Sequence, residues 1–165
     1  MELQITNSVS SVLFDIWKEV EKESVLQVSG GSMWPLMGHG DKVLIKHSFT
    51  GIEPGSLIAF RQNNRIVVHR VLRSYSVRGK TVYVSRGDHN RHLDRRVQES
   101  EIVGKVISIE RNDKRIINVA SSYWQIIGKL IVQSVNFSRA LPGEIGRHRF
   151  FRFLGLAVLR SVSFV

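Results

Sequence analysis

Cysteine is absent from the 165-residue sequence, and only 3 prolines occur in it. Without cysteine the chain has no disulfide bond, no zinc–thiolate cluster and no cysteine nucleophile. Long apolar runs are lacking as well: the most apolar stretch, residues 150–165, contains Arg152 and Arg160 and is shorter than the ~20 residues of a membrane-spanning helix. The N-terminus has none of the parts of a secretory signal. We therefore expect a cytoplasmic or peripherally membrane-associated protein without a transmembrane anchor.

Acidic residues are the scarcer charge. The 24 Lys and Arg outnumber the 14 Asp and Glu, and residues 112–165 hold 8 basic residues against 2 acidic ones. From about His148 onward, arginines stand among phenylalanine and leucine, which is typical of an interfacial basic segment and equally of a helix docked on the chain's own core. Peripheral membrane contact through this segment is therefore one open interpretation. No nucleic-acid-reading motif accompanies the charge, so no specific nucleic-acid partner is expected.

Hydrophobic periodicity divides the chain into three regions. Residues 1–24 predict an amphipathic helix from about Ser8 to Glu23, because apolar side chains recur there at i, i+3, i+4 and i+7. Residues 25–111 predict a β-rich domain with short apolar runs at residues 25–28, 43–45, 57–60, 66–72, 81–85 and 102–109. Residues 112–165 predict a basic helical extension, whose apolar face is formed by Trp124, Ile127, Ile131 and Val135. The fold class is therefore mainly β, with helices at both ends.

Two turns are predicted inside the β-rich region. Asn63-Asn64 stands between two apolar runs, and asparagine tolerates the positive φ that hairpin turns require. Residues 57–61 and 65–72 are therefore expected to form a hairpin. Arg78-Gly79-Lys80 marks a second turn, into the following strand.

A glycine-containing turn after the first apolar run is the first feature with catalytic potential. In Ser29-Gly30-Gly31-Ser32, the glycines let the backbone turn sharply and present a small side chain, with neighbouring N–H groups available to bind an oxyanion. A nucleophilic serine is often exposed in this way. An ordinary Gly-Ser turn has the same composition, so this motif alone does not decide between the two.

A lone histidine and two acidic residues could complete such a site. His69 lies in the apolar run of residues 66–72 and can accept a proton near neutral pH, although a lone histidine in a strand is also a common structural residue. Further along, Asp88 and Asp94 stand among turn-forming residues, and either carboxylate could orient an imidazole. A polar connection without a chemical role is the alternative for this segment.

These motifs follow one order along residues 25–111: Gly31-Ser32-Met33-x-Pro35, Gly40-Asp41, His69-Arg70-Val71, Gly87-Asp88-x-Asn90 and Val103-Gly104-Lys105-Val106. The order resembles that of the type I signal peptidases, particularly their endoplasmic-reticulum and archaeal-type branch, in which histidine occupies the position of the lysine of most bacterial enzymes. The resemblance implies a half-open, barrel-like β core and a serine endopeptidase activity on a precursor protein or leader peptide. It implies no metal site and no cofactor.

The resemblance also implies a role for four of these residues. Ser32 matches the acyl-forming nucleophile, and His69 matches the general base that later protonates the leaving amine. Asp94 matches the third catalytic position, and Asp88 matches a second acidic position of the active-site region. We favour Asp94 as the acid that orients the imidazole.

The loop before the nucleophile departs from the family pattern at one position. Where the family has a hydroxyl two places before the nucleophile, this chain has Gly30. Ser29 is the hydroxyl that could donate a hydrogen bond to the oxyanion from a shifted loop. The oxyanion- and substrate-binding part of the site is therefore expected to comprise Ser29, Gly30, Gly31 and Met33.

A second class of function stays open. A module of the same fold could be non-catalytic, or could cleave only itself as the repressor peptidases do, and bind nucleic acid or anionic lipid through its basic tail. The self-cleaving repressors use a lysine where this chain has His69, and they carry a DNA-binding helix-turn-helix. Residues 1–24 predict only one helix, so the self-cleaving repressor is disfavoured, and the non-catalytic binding module stays open.

Overall fold

The computed structural model describes Ile16, residues 22–63 and residues 65–140, the last three of these by their backbone alone. Its elements are, in chain order, strands β1 (Glu23–Gln27), β2 (Lys42–Lys46), β3 (Leu57–Gln62), β4 (Arg65–Val77), β5 (Lys80–Arg86), β6 (Val97–Gln98), β7 (Ile102–Glu110) and β8 (Ile116–Asn118), and helix α1 (Ser122–Ala140). A short 3-10 helix (Glu99–Glu101) joins β6 to β7. Most of the predicted N-terminal helix and all of the basic segment from His148 lie outside the described residues.

The eight strands form one antiparallel sheet that does not close on itself, in the order β1-β2-β7-β3-β4-β5-β6. Strand β8 pairs with the C-terminal part of β7, and β3 pairs with its N-terminal part. Strand β2 pairs along the length of β7 as well, so β7 lies at the centre of the sheet. The predicted mainly β fold class is confirmed, and each predicted apolar run contributes to a strand.

Two strands were not predicted from the sequence. β6 has two residues and β8 has three, which is too few for an alternation of apolar and polar side chains to be recognised. β8 lies within the residues predicted as a helical extension, and it lengthens the sheet through its pairing with β7. The helix predicted in that extension begins four residues later along the chain, at Ser122.

Strand β4 belongs to two hairpins, both predicted from their turn residues. It pairs with β3 from Leu57↔Arg70 to Gln62↔Arg65, next to Asn63 with a φ of 48°. It also pairs with β5 up to Val77↔Lys80, where Arg78 and Gly79 have φ values of 50° and 75°. Positive φ at both central residues is the geometry of a tight two-residue hairpin. The residues of β4 that precede its irregular pairing with β5 include His69.

Apolar side chains fill the space between the sheet, the β1–β2 loop and α1. The largest cluster contains Met33, Leu36, Met37, Val43, Ile45, Leu57, Ala59, Val103, Val106, Ile109 and Ile117. Helix α1 packs Val132 and Val135 on Leu72 of β4, and its Trp124 packs on the largest cluster. The apolar face predicted from helical periodicity therefore faces the sheet. Within residues 22–63 and 65–140, no helix has the length and hydrophobicity needed to cross a membrane.

Gly104 of β7 lies directly against β2. A Cβ atom at Gly104 would lie 2.5 Å from Cγ2 of Ile45 and 2.5 Å from the carbonyl oxygen of Lys46. The Gly104→Ala substitution is therefore expected to lower the free energy of unfolding by about 1–3 kcal/mol, the usual cost of overpacking a core. Chemical denaturation followed by tryptophan fluorescence measures this change.

The matched control is Gly30→Ala, because a Cβ atom at Gly30 would have no heavy atom within 4 Å. Its free energy of unfolding should stay within about 0.5 kcal/mol of the wild-type value. Equal stability of Gly104→Ala and wild type would contradict the close packing of β7 on β2.

Candidate active site

Ser32 lies in the loop between β1 and β2, and backbone hydrogen bonds join the two ends of this loop. Val28 donates its N–H to the carbonyl of Asp41, and Gly40 donates to the carbonyl of Val28, both at 2.8 Å. Within the loop, the carbonyl of Met33 accepts two backbone hydrogen bonds. The side chain of Met33 is only 2% exposed, whereas Ser32 is half-buried. The loop is therefore anchored in the core directly after Ser32.

His69 lies on β4, opposite Ile58 of β3, and is 5% exposed. Its Nδ1 lies 2.7 Å from Oδ2 of Asp94, and its Nε2 lies 3.0 Å from Oγ of Ser32. An ionised carboxylate only accepts hydrogen bonds, so a neutral imidazole beside it donates from Nδ1–H to Asp94 and accepts the Ser32 hydroxyl at Nε2. In that form, the nitrogen that can take a proton faces Ser32.

Asp94 is held from two sides. Its Oδ2 accepts a hydrogen bond from Oγ of Ser85 at 2.7 Å in addition to the one from His69. Its backbone N–H donates to the carbonyl of Ser85 at 2.9 Å. These bonds fix the direction of the carboxylate, so the imidazole can turn little without losing a charged hydrogen bond.

The residue after Asp94 attaches this loop to the sheet. Arg95 donates to the carbonyl of Arg61 at 2.9 Å and to Oε1 of Glu101 at 2.6 Å. Burial by itself would raise the pKa of Glu101, but hydrogen bonds from Arg95 and from the N–H of Gln98 outweigh it and lower this pKa below its usual value. Glu101 therefore remains charged into mildly acidic solution and keeps its contact with Arg95.

The second candidate acid, Asp88, pairs with Arg70 and not with His69. Nε of Arg70 lies 2.9 Å from Oδ1 of Asp88, and Nη2 lies 2.7 Å from Oδ2. The side chains of Arg70 and Asp88 are 4% and 11% exposed. The backbone N–H of Asp88 donates to Sδ of Met33 at 3.4 Å. Of the two candidate acids, Asp94 contacts the imidazole, and Asp88 lies behind the loop that carries Ser32.

The segment around Asp88 also contacts the backbone of Ser32 directly. The N–H of His89 donates to the carbonyl of Ser32 at 2.8 Å. A Cβ atom at Gly87 would lie 2.6 Å from the same carbonyl oxygen, so only glycine lets the two segments approach this closely. The main-chain position of Ser32 therefore depends on residues 87–89.

An open cleft of about 540 Å³ is lined by the residues that precede Ser32, although not by Ser32 or His69; its lining includes Ser29, Gly30, Gly31, Trp34, His39 and His89. Three of the four residues expected to bind substrate thus line this cleft. The fourth, Met33, turns its side chain into the core, because the apolar thioether packs there. Among residues 22–63 and 65–140, no group of three or more His, Asp or Glu side chains is placed to hold a metal ion.

Two residues of the site were not recognised from the sequence. Ser85 is fully buried on β5, and a serine in a strand carries no signal of its role. Arg70 interrupts the apolar run of residues 66–72 directly after His69. A charged residue in a strand that is otherwise apolar needs a buried partner, and this is the signal that could have identified Arg70.

The chain is similar to known peptidases over the residues that build this site. The family model described as Peptidase S24-like matches residues 4–107, which include Ser32, His69, Asp88 and Asp94. The signal peptidase complex catalytic subunit SEC11 of Yarrowia lipolytica is 25% identical over 130 residues, which are 76% of this chain and 73% of that protein. The signal-peptidase resemblance of the motifs is thereby confirmed at the level of the family. The family model matches more than half of the length of this chain, and the chain therefore belongs to the Peptidase S24-like family.

Proposed function

We propose that the chain is a serine endopeptidase, with Ser32 as nucleophile, His69 as general base and Asp94 as the acid that orients the imidazole. The observation that carries the proposal is the continuous hydrogen bonding from Ser32 Oγ to His69 Nε2 (3.0 Å) and from His69 Nδ1 to Asp94 Oδ2 (2.7 Å). A nucleophile and a base in contact, with the base oriented by a third group, is the signature of nucleophilic catalysis. Membership of a peptidase family supports a peptide bond as the bond that is cleaved.

In the first half of the reaction, Oγ of Ser32 attacks the carbonyl carbon of the scissile peptide bond while Nε2 of His69 takes the hydroxyl proton. Asp94 stabilises the resulting imidazolium. The tetrahedral intermediate collapses when its C–N bond breaks, and His69 gives the proton to the departing amine. Water then attacks the acyl ester with His69 again as base, which releases the acid product and restores Ser32.

The loop before Ser32 is proposed to bind the oxyanion of the tetrahedral intermediate. A Cβ atom at Gly30 or Gly31 would meet nothing within 4 Å, so the space beside these two glycines is open to a substrate. Ser29 lines the same cleft and offers a hydroxyl donor. Each such donor is typically worth about 10²–10³ in rate.

The proposed substrate is the signal or leader peptide of a precursor protein, with small side chains before the cleaved bond. The motif order and the similarity to SEC11, which is named as a signal peptidase catalytic subunit, support this class. Among the described strands β1 is an edge strand, and it leads directly into the Ser32 loop. An extended peptide could add to this edge through backbone hydrogen bonds. Contact with an anionic membrane surface is proposed for the basic segment from His148.

The first test removes the nucleophile and the base separately. Ser32→Ala and His69→Ala are each expected to lower kcat/KM by at least about 10³-fold, because the two groups act as a unit. The assay uses peptides with small residues before the scissile bond, with and without lipid, and mass spectrometry of the products.

Ser76→Ala and His92→Ala are the matched controls, since both residues are exposed, and both variants should cleave like wild type. Full activity of Ser32→Ala would refute the proposed nucleophile. Cleavage of the chain itself, with all peptides left intact, would instead favour a self-cleaving function.

Asparagine substitutions separate the roles of the two acids. Asp94→Asn removes the charge that stabilises the imidazolium and should lower kcat by about 10²–10⁴-fold. Asp88→Asn leaves the buried guanidinium of Arg70 without its anion, which should lower the free energy of unfolding by about 3–5 kcal/mol. Kinetics and urea denaturation are measured on both variants. A greater loss of stability in Asp94→Asn than in Asp88→Asn would contradict this assignment.

A further inference from the structure

Helix α1 lies beyond residues 4–107 matched by the peptidase family model, and its backbone touches the backbone of the β2–β3 connection. A Cβ atom at Gly128 of α1 would lie 2.7 Å from the carbonyl oxygen of Gly55. A Cβ atom at Gly55, whose φ is +100°, would lie 2.8 Å from the carbonyl carbon of Gly128. Glycine inside a helix costs about 1 kcal/mol relative to alanine, so the close approach explains why it stands there.

The side chain of Arg70 joins this contact. Its Nη1 donates to the carbonyl of Gly55 at 2.9 Å, and a Cβ atom at Gly128 would lie 3.1 Å from the same nitrogen. We call Gly55, Arg70 and Gly128 the helix seat. The two other nitrogens of the Arg70 guanidinium hold Asp88. The buried guanidinium of Arg70 therefore lies against Gly128 of α1 with Nη1 and binds Asp88 with Nε and Nη2.

From Asp88 the contacts continue to Ser32. Asp88 donates its N–H to Sδ of Met33, the neighbour of Ser32. The next residue, His89, donates its N–H to the carbonyl of Ser32 at 2.8 Å. A continuous series of contacts therefore connects the guanidinium to the backbone of Ser32, whose Oγ lies 3.0 Å from Nε2 of His69.

We propose that Gly128 of α1 is a positioning residue: its close packing on Gly55 and Arg70 holds the guanidinium, and through Asp88 and residues 87–89 holds Ser32 against His69. The expected effect on kcat rests on the proposed peptidase function. The dependence of the Ser32–His69 contact on the helix seat is a matter of geometry and does not rest on that function. A helix outside the matched part of the family thus sets the geometry of the nucleophile.

A second contact allows this role to be separated from simple stability. Val135 of α1 is fully buried and packs on Leu72, two helical turns beyond Gly128. Val135→Ala weakens the docking of α1 without placing any atom against Arg70. Gly128→Ala places a methyl group in the helix seat, although alanine favours the helix itself.

The experiment compares Gly128→Ala with Val135→Ala in the full chain. In Gly128→Ala, kcat is expected to fall about 10–100-fold with KM within about twofold, since a displacement near 1 Å can cost about 10²-fold in rate. Val135→Ala should keep kcat within about twofold of wild type and show a lower melting temperature. Proton and nitrogen NMR of the His69 imidazole, assigned through His69→Gln, reports the Ser32–His69 contact without any substrate.

Each outcome decides the proposal. A shift of the His69 resonances in Gly128→Ala, with none in Val135→Ala, supports it, even if the wild type cleaves no peptide and the proposed function fails. Wild-type kcat and unshifted His69 resonances in Gly128→Ala would overturn it, and so would equal losses of kcat in both variants. Should Gly128→Ala not fold, Arg70→Lys removes Nη1 from Gly55 while keeping a cation near Asp88. The same NMR shift is then expected from Arg70→Lys, and its absence would overturn the proposal.

Discussion

A guanidinium group that is almost fully buried must be paired with an anion. In this chain the pairing of Arg70 with Asp88 determines the position of residues 87–89, which contact the backbone of Ser32. An unpaired charge at that depth would cost several kcal/mol, so the two side chains cannot separate without a large loss of stability. The planar fork of Arg70 matches the carboxylate in direction as well as in charge. The segment that follows Asp88 is therefore held in one position, and the backbone of Ser32 is held with it.

Adjacent residues of a strand point to opposite faces of a sheet, and β4 uses this for two different tasks. His69 pairs opposite Ile58 and its ring packs edge-on against Phe60, whereas Arg70 pairs opposite Leu57 on the other face. The candidate base and the residue that supports the loop of Ser32 are therefore consecutive in the chain. Because β4 pairs with β3 and β5 at this point, neither side chain can move independently of the sheet.

The imidazole is restricted more strongly than the hydroxyl it faces. Asp94 accepts hydrogen bonds from both His69 and Ser85, and Arg95 ties the same segment to the end of β3. Ser32 follows Gly30 and Gly31, where an added Cβ atom would have no heavy atom within 4 Å. Restricted acid and base groups beside an open loop fit the proposed endopeptidase function, in which an extended peptide is bound while the proton-transfer geometry is kept.

Much of the fold follows from local pattern. Alternating and apolar runs marked six of the eight strands, and Asn63, Arg78 and Gly79 marked their hairpin turns, because side-chain period and positive φ are local properties. The two-residue β6 and three-residue β8 were missed, since strands this short exist only through their pairing with neighbours.

For the candidate site, the sequence by itself determined which residue types were present and in what order: a serine after glycines, a histidine in a strand, and two acids in a later loop. Only the tertiary structure decided that Asp94 contacts the imidazole from one side and Ser32 from the other. These two residues lie 25 and 37 residues from His69 along the chain. The tertiary structure also decided that Arg70 takes the other acid and that α1 rests on Gly55 through Gly128. Such contacts depend on the distance between backbones that are remote in sequence, and no local pattern encodes that distance.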